Sequence, residues 1–201
     1  MGRPQSVTDD DVMARLSCVF RDIGYEGASI AVLAEATGLK KASLYHRFPR
    51  GKQQMAEEVL AAALTWYGSK ILTPLRSNAL PAERLALVAE HLNAFYEGGR
   101  RACLLNMLAS TGYETGPFSP AIKSAFEALV AGFAELARDA GCDTKTANYR
   151  AERVVMLLHG SLVMSRGLQS PQPFKSFMSS LATELLGPAT SPSIEPRARR
   201  R

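Results

Sequence analysis

An all-α fold is predicted: a three-helix helix-turn-helix unit at the N-terminus, followed by a larger C-terminal helical domain. Three observations predict it. Apolar residues recur every three or four positions through nearly the whole chain, the period of a helix with one buried face. No segment sustains the polar/apolar alternation of a half-buried strand. Glycine and proline fall between the periodic segments rather than inside them.

The elements follow in order. Thr8 is the expected N-cap of the first helix, with Asp9, Asp10 and Asp11 in its first turn, where the helix dipole favours negative charge. Val12, Leu16, Val19, Phe20 and Ile23 form its apolar face, and Gly24 is expected to stop it. Ser29 caps a short second helix through Thr37, ended by Gly38, with Ile30, Leu33 and Ala34 inward. A third short helix spans 40–48 and ends before Pro49, because the residue preceding proline avoids helical geometry. A long fourth helix is expected from Lys52 to Leu72. Beyond Pro74 come helices at 81–98, 104–110, 120–140, 146–167 and 173–186, with a loop at 112–120 and a Pro-, Ser- and Arg-rich tail. This organisation sets expected domain bounds of 1–52, 53–187 and 188–201.

Charge narrows the function. The chain has 201 residues, 46% hydrophobic and 21% charged, with a net charge of +5. Lys40, Lys41, Arg47, Arg50 and Lys52 fall in one acid-free window, Arg197, Arg199, Arg200 and Arg201 lie in the tail, and the stretch between is close to neutral. A local basic stripe is the electrostatic footprint of a nucleic-acid contact. No apolar run approaches the roughly 18 residues needed to cross a bilayer, and the N-terminus lacks the apolar core of a signal peptide. A cytoplasmic location is expected. Cys18, Cys103 and Cys142 form neither a disulfide framework nor a metal-ligand spacing. His46, His91 and His159 are scattered, and no nucleophile motif, phosphate-binding glycine loop or HExxH is present. The expectation is a protein that is not an enzyme and carries no cofactor or metal.

The stretch from Ser29 to Phe48 holds the chemistry. Gly38 suits the left-handed position that a sharp turn between two short helices requires. Leu33, Leu39, Leu44 and Phe48 would pack the pair on the first helix. That leaves Lys40, Lys41, Ser43, Tyr45, His46 and Arg47 on or near the open side. Arg, Lys, Ser and His can reach base edges in a major groove, whereas Tyr45, Lys41 and Lys52 suit phosphate oxygens. The helix starts near Ser29 and Lys52 would add backbone N–H donors.

On these residues the chain resembles the TetR family of repressors over positions 8–67. The resemblance is carried by Phe20-Arg21-Asp22-Ile23-Gly24-Tyr25, by the Ser29-to-Gly38 helix and by Ser43-Leu44-Tyr45-His46-Arg47-Phe48-Pro49. Phe48-Pro49-Arg50-Gly51-Lys52 and Cys103-Leu104-Leu105 are similar to the LmrA/YxaF-like branch. One departure is Lys40, where the family often has Ser or Thr. Lysine removes a hydroxyl cap and puts a cation at the positive end of the helix dipole, a cost that a DNA phosphate would offset.

The resemblance implies a ligand-responsive homodimer that binds a pseudo-palindromic operator in double-stranded DNA, with recognition helices about 34–36 Å apart. Val154-Val155-Met156-Leu157-Leu158 is apolar all round, so its helix should be buried on several sides. Phe126, Leu129, Val130, Phe133, Val154, Leu157, Leu158 and Leu162 are the expected dimer contacts. Trp66, Tyr67, Phe95, Tyr96, Met107, Tyr113, Phe118, Met156 and His159 are the expected lining of a pocket for a hydrophobic or aromatic effector. A rival reading makes Cys103 a redox-sensing thiol, activated by Arg100 and Arg101. The tail arginines would add non-specific phosphate attraction.

Overall fold

The computed structural model describes residues 8–109 and 116–187. The expected contributions of Tyr113 and of the tail arginines lie outside the described residues. Among the described residues every regular element is a helix, and no helix is long and apolar enough to cross a membrane.

Helix α1 (Asp9–Gly27) starts at a reciprocal capping box. The Thr8 hydroxyl accepts from Asp11 N at 3.2 Å, and the Asp11 carboxylate accepts from Thr8 N at 3.3 Å. Two of the orphan donors at the helix start are thereby satisfied. The Thr8 hydroxyl, donating to the Asp11 carboxylate at 2.7 Å, and then Thr8 N hold that carboxyl below the usual carboxylate range. Gly24 bends the helix (φ 72°) rather than stopping it, and the chain stays helical to Gly27. The bend corrects the expected inner face. Val12, Leu16, Val19 and Phe20 are buried, but Ile23 is exposed at the lip of a surface cleft beside Met107 and Phe118.

Helices α2 (Ile30–Thr37) and α3 (Lys41–Arg47) follow, then α4 (Lys52–Tyr67). The expected straight run to Leu72 is instead a π-helical turn over Gly68–Leu72, leading into the short α5 (Thr73–Leu75). Pro74 supplies the reason. It has no N–H for the Lys70 carbonyl four residues back, and that carbonyl accepts from His91 Nδ1 at 2.7 Å instead. Helix α6 (Pro81–Phe95) ends before Gly98, whose positive φ of 64° belongs to a 3₁₀ turn over Glu97–Gly99. Then come α7 (Leu104–Leu108), α8 (Ser119–Asp139), α9 (Thr144–Gly167) and α10 (Gln172–Leu186).

Helices α8, α9 and α10 pack side by side, and α6 closes against α10 and α8. Helix α1 touches α2 and α4 and also α7, which itself meets α4. One continuous apolar cluster runs from Val12, Leu16 and Phe20 through Leu60 and Leu105 to Leu158 and Leu185. The buried Arg84 is held by carbonyls and a carboxylate. Arg84 donates to the carbonyls of Leu75 (3.1 Å) and Ser77 (2.8 Å) and to the Asp139 carboxylate (2.7 Å), tying α6 to α5 and α8.

The 3₁₀ turn is clamped on α10. A methyl group added at Gly99, where φ is 94°, would stand 2.6 Å from Phe174 Cβ. Gly99→Ala is therefore expected to cost about 2 kcal/mol or more, from overpacking and left-handed strain together. A lowered midpoint in urea denaturation with an unchanged slope is the result to look for.

Candidate nucleic-acid interface

The α2–turn–α3 unit is built by its caps. Ser29 Oγ accepts from Val32 N at 3.3 Å, and the residue is exposed. Gly38 is left-handed (φ 72°, ψ 13°), and its N–H and that of Leu39 fold back onto the last carbonyls of α2. Arg15 on α1 donates to the Thr37 carbonyl at 3.2 Å, placing a cation at the negative end of α2. Lys40 caps α3 without any side-chain hydrogen bond.

Leu33, Leu44 and Phe48 are fully buried, and Leu39 is half-buried against them. These anchors turn one face of α3 inward and present the other. Lys40, Lys41, Ser43, Tyr45 and His46 are exposed on it. Gly51 (φ 65°) packs beneath Tyr45: a Cβ there would lie 3.3 Å from the tyrosine ring. Glycine at position 51 thus leaves room for an outward tyrosine.

The five cations of the basic window are not equivalent. Arg47 is held by Asp9 on α1 at 2.6 Å and lies over the Phe48 ring. Arg50 pairs with Glu57 at 2.7 Å. Lys52 donates to the Tyr25 carbonyl at 2.9 Å, with its ammonium 4.2 Å from the Tyr25 ring centroid. Arg47 and Lys52, both expected to face DNA, are thus engaged inside the chain. Lys40 and Lys41 have no such partner among the described residues.

The expected effector pocket divides into separate places. Trp66 stacks on Phe95 at 4.1 Å, and Tyr67 and Tyr96 meet Phe95 edge-on, so these residues form one aromatic cluster. The Tyr67 and Tyr96 hydroxyls bond each other, and Tyr96 donates to Cys103 Sγ at 3.5 Å. The cavity among Tyr67, Phe95, Tyr96 and Cys103 is about 10 Å³, room for roughly one water molecule. Met107 and Phe118 lie elsewhere, in a cleft of about 390 Å³ with Tyr25. Met156 points outward from α9. His159 is buried against Phe126 with rings 4.7 Å apart.

Two further expectations are corrected. Burial pushes the Cys103 thiol up in pKa, against the hydrogen bond from Tyr96 that lowers it. Arg100 is exposed and Arg101 lies over Phe95, so neither activates the thiol, and the redox reading loses its basis. Leu129, Phe133, Val154, Leu158 and Leu162 are buried within the chain itself and cannot be its outer contact surface, while Phe126, Val130 and Leu157 are half-buried. Periodicity marked α9 as apolar all round but could not say which side faced its own subunit. The face left open carries Tyr149, Met156, Gly160, Val163 and Met164.

Residues 18–59 match the family model for bacterial regulatory proteins of the tetR family, and residues 81–180 match the C-terminal domain of LmrA/YxaF-like transcriptional regulators. The HTH-type transcriptional regulator LmrA of Bacillus subtilis is 23% identical over 169 residues, covering 82% of this chain and 89% of LmrA. The HTH-type transcriptional repressor KstR2 of Mycolicibacterium smegmatis is 32% identical over 76 residues, covering 38% of this chain and 37% of KstR2. A TetR regulator structure from Legionella pneumophila matches with a TM-score of 0.75 at 19% identity, covering 91% and 100% of the two chains. A cysteine-substituted CifR bound to 26-base-pair operator DNA matches with a TM-score of 0.70 at 25% identity, covering 90% and 97%.

His159 generates a pH prediction. Burial drops its pKa from 6.5 to about 4, and neither ring nitrogen has a partner among the described residues. As pH falls through 6.5 the unfolded chain takes up this proton first. The stability that rests on a neutral imidazole is therefore full above 6.5 and lost on the way down to about 4. His159→Leu should flatten this loss: between pH 7 and pH 5 wild type should lose about 2 kcal/mol more than the variant in urea titrations.

Proposed function

Because the chain belongs to the TetR family of DNA-binding transcriptional regulators, we propose that it acts as a homodimeric repressor, released from its operator by a small-molecule effector. The supporting observation is the pair Lys40 and Lys41, without a partner among the described residues, beside Tyr45 on a helix whose opposite face is anchored by Leu44 and Phe48. In the proposed complex α3 lies in the major groove. Lys41, Tyr45 and the Ser29 hydroxyl take phosphate oxygens, and Lys40, Ser43 and His46 approach base edges. A phosphate also answers the unfavourable position of Lys40 at the start of α3. Arg47 reaches DNA only by leaving Asp9.

One reading head contacts few base pairs, so affinity requires two. The outward stripe of Tyr149, Met156, Val163 and Met164 supplies the apolar contact for a second copy, and Gly160 lets the two backbones approach closely. Residues 1–52 act as the reading head and 53–187 as the effector and dimer domain, in the cytoplasm. The closed aromatic cluster of Trp66, Tyr67, Phe95 and Tyr96 is the proposed place where a hydrophobic or aromatic effector enters. Binding there would favour an opened conformer at the expense of the one that holds both heads at DNA spacing.

Selection of binding sites from a random duplex pool tests the reading. Pseudo-palindromic sites should be enriched, and no enrichment would count against it. By fluorescence anisotropy on a selected duplex, Lys41→Ala should bind more weakly on every sequence and lower the salt slope by about 1. Val163→Glu should shift the protein from dimer to monomer in sedimentation, with DNA affinity falling alongside. Dimers that survive this substitution would place the contact on another face.

A further inference from the structure

A cleft of about 410 Å³ is separate from both the reading face and the aromatic cluster. It lies where the C-terminal end of α1 meets the loop after the 3₁₀ turn, the end of α9 and the start of α10. Four arginines line it, Arg21, Arg100, Arg101 and Arg166, against a single carboxylate, Asp22. The only ion pair any of the four makes among the described residues is Arg101 with Glu97, at a loose 3.9 Å.

Gathering four guanidinium groups costs repulsion that the fold does not require. Arg21 makes the point sharply. It is 2% exposed, its head donates to the Ala102 carbonyl at 2.5 Å and to Ser17 Oγ at 3.3 Å and lies 4.9 Å from the Phe95 ring centroid, and among the described residues no carboxylate pairs with it. A buried cation normally sits beside an anion. Burial and the nearby Arg101 both press its pKa down. Helix α10 starts at the cleft and adds its dipole to the field, although Gln172 N donates to Ser170 Oγ at 3.3 Å and Phe174 N to Ser165 Oγ at 3.2 Å.

We propose that this cleft is a binding site for a small organic anion, a carboxylate or phosphate ester whose apolar body lies along Leu162, Ala102 and Pro171. DNA is a poor candidate occupant. Arg47 and α3 meet α1 at Asp9, and at 1.5 Å per helical residue Asp22 stands roughly 20 Å further along. The cavity suits a ligand of several heavy atoms rather than a bare ion.

The site has a built-in route to the reading head. Arg166 on α9 donates to the Asp22 carbonyl at 2.9 Å and touches the Met107 sulfur, so it joins the effector domain to the far end of α1. An anion that draws Arg166 into the cleft competes with that carbonyl and loosens α1. This regulatory half rests on the DNA-binding function proposed above; the binding site itself does not.

Calorimetry on the full chain without DNA is the test, with octanoate, octyl phosphate and neutral octanamide as probes. At least one anion should bind where octanamide does not, and comparing the two assigns the head group. Arg100→Gln, at an exposed side chain with no hydrogen bond among the described residues, and Arg166→Gln should each weaken binding about tenfold. Trp66→Leu should leave it unchanged. The proposal is overturned if neither anion binds at millimolar concentration, if octanamide binds equally well, or if both arginine variants bind as wild type does. In a second arm the bound anion should weaken the grip of wild type on a selected duplex more than that of Arg100→Gln. Anion binding with DNA affinity unmoved would overturn the regulatory half alone. Failure to bind any duplex without anion would instead count against the repressor reading.

Discussion

Helix α1 must satisfy two neighbours at once, and the rest of the molecule is arranged around that requirement. Leu16 and Phe20 are fully buried among the helices of the reading head and of the larger domain. Such burial is non-directional, so on its own it would permit sliding. The directional part comes from hydrogen bonds: Arg15 to the end of α2, Arg21 to the Ala102 carbonyl and Arg166 back to the Asp22 carbonyl. A helix fixed in this way transmits displacement, because packed cores are bistable rather than elastic.

The same requirement explains why α1 is bent. On the bent backbone a side chain at position 24 would begin 3.3 Å from the Met107 carbonyl oxygen of α7. Glycine removes that side chain and accepts the positive φ, bringing the last turn of α1 onto Met107. The aromatic cluster lies beyond this joint, between α4, α6 and α10. Its buried hydroxyls are satisfied by each other and by the Cys103 thiol, and the Tyr67 and Tyr96 phenols are pushed to high pKa by burial. Among the described residues, Arg21 and Arg101, both over the Phe95 ring, bring charge to its edge. The two sites therefore differ in chemistry, one dry and aromatic, the other open and cationic.

Much of the fold was legible in the sequence because local chemistry wrote it. Thr8 with Asp11, Ser29 and Gly38 mark helix ends within a few residues of themselves, and the structure uses each as a cap. The all-helical class followed from periodicity. What stayed hidden depends on residues distant in the chain. Arg47 and Asp9 are 38 residues apart, so no local rule could show that this cation is occupied. The burial of Leu129, Phe133, Val154 and Leu158 within one subunit depends on how α8 and α9 turn toward each other. Ile23 fits the apolar period of α1, but period alone cannot register a bend one residue later. The cationic cleft draws on three separate segments, and only Arg100 and Arg101 are adjacent in sequence.

The protein contains a single tryptophan, Trp66. It is half-buried, stacked on Phe95 and set edge-on to Tyr67 and His91. Indole emission is sensitive to ring contacts and to water, and no second indole dilutes the signal. The molecule thus carries its own optical gauge of whether the aromatic cluster is shut, readable in solution without attaching a dye.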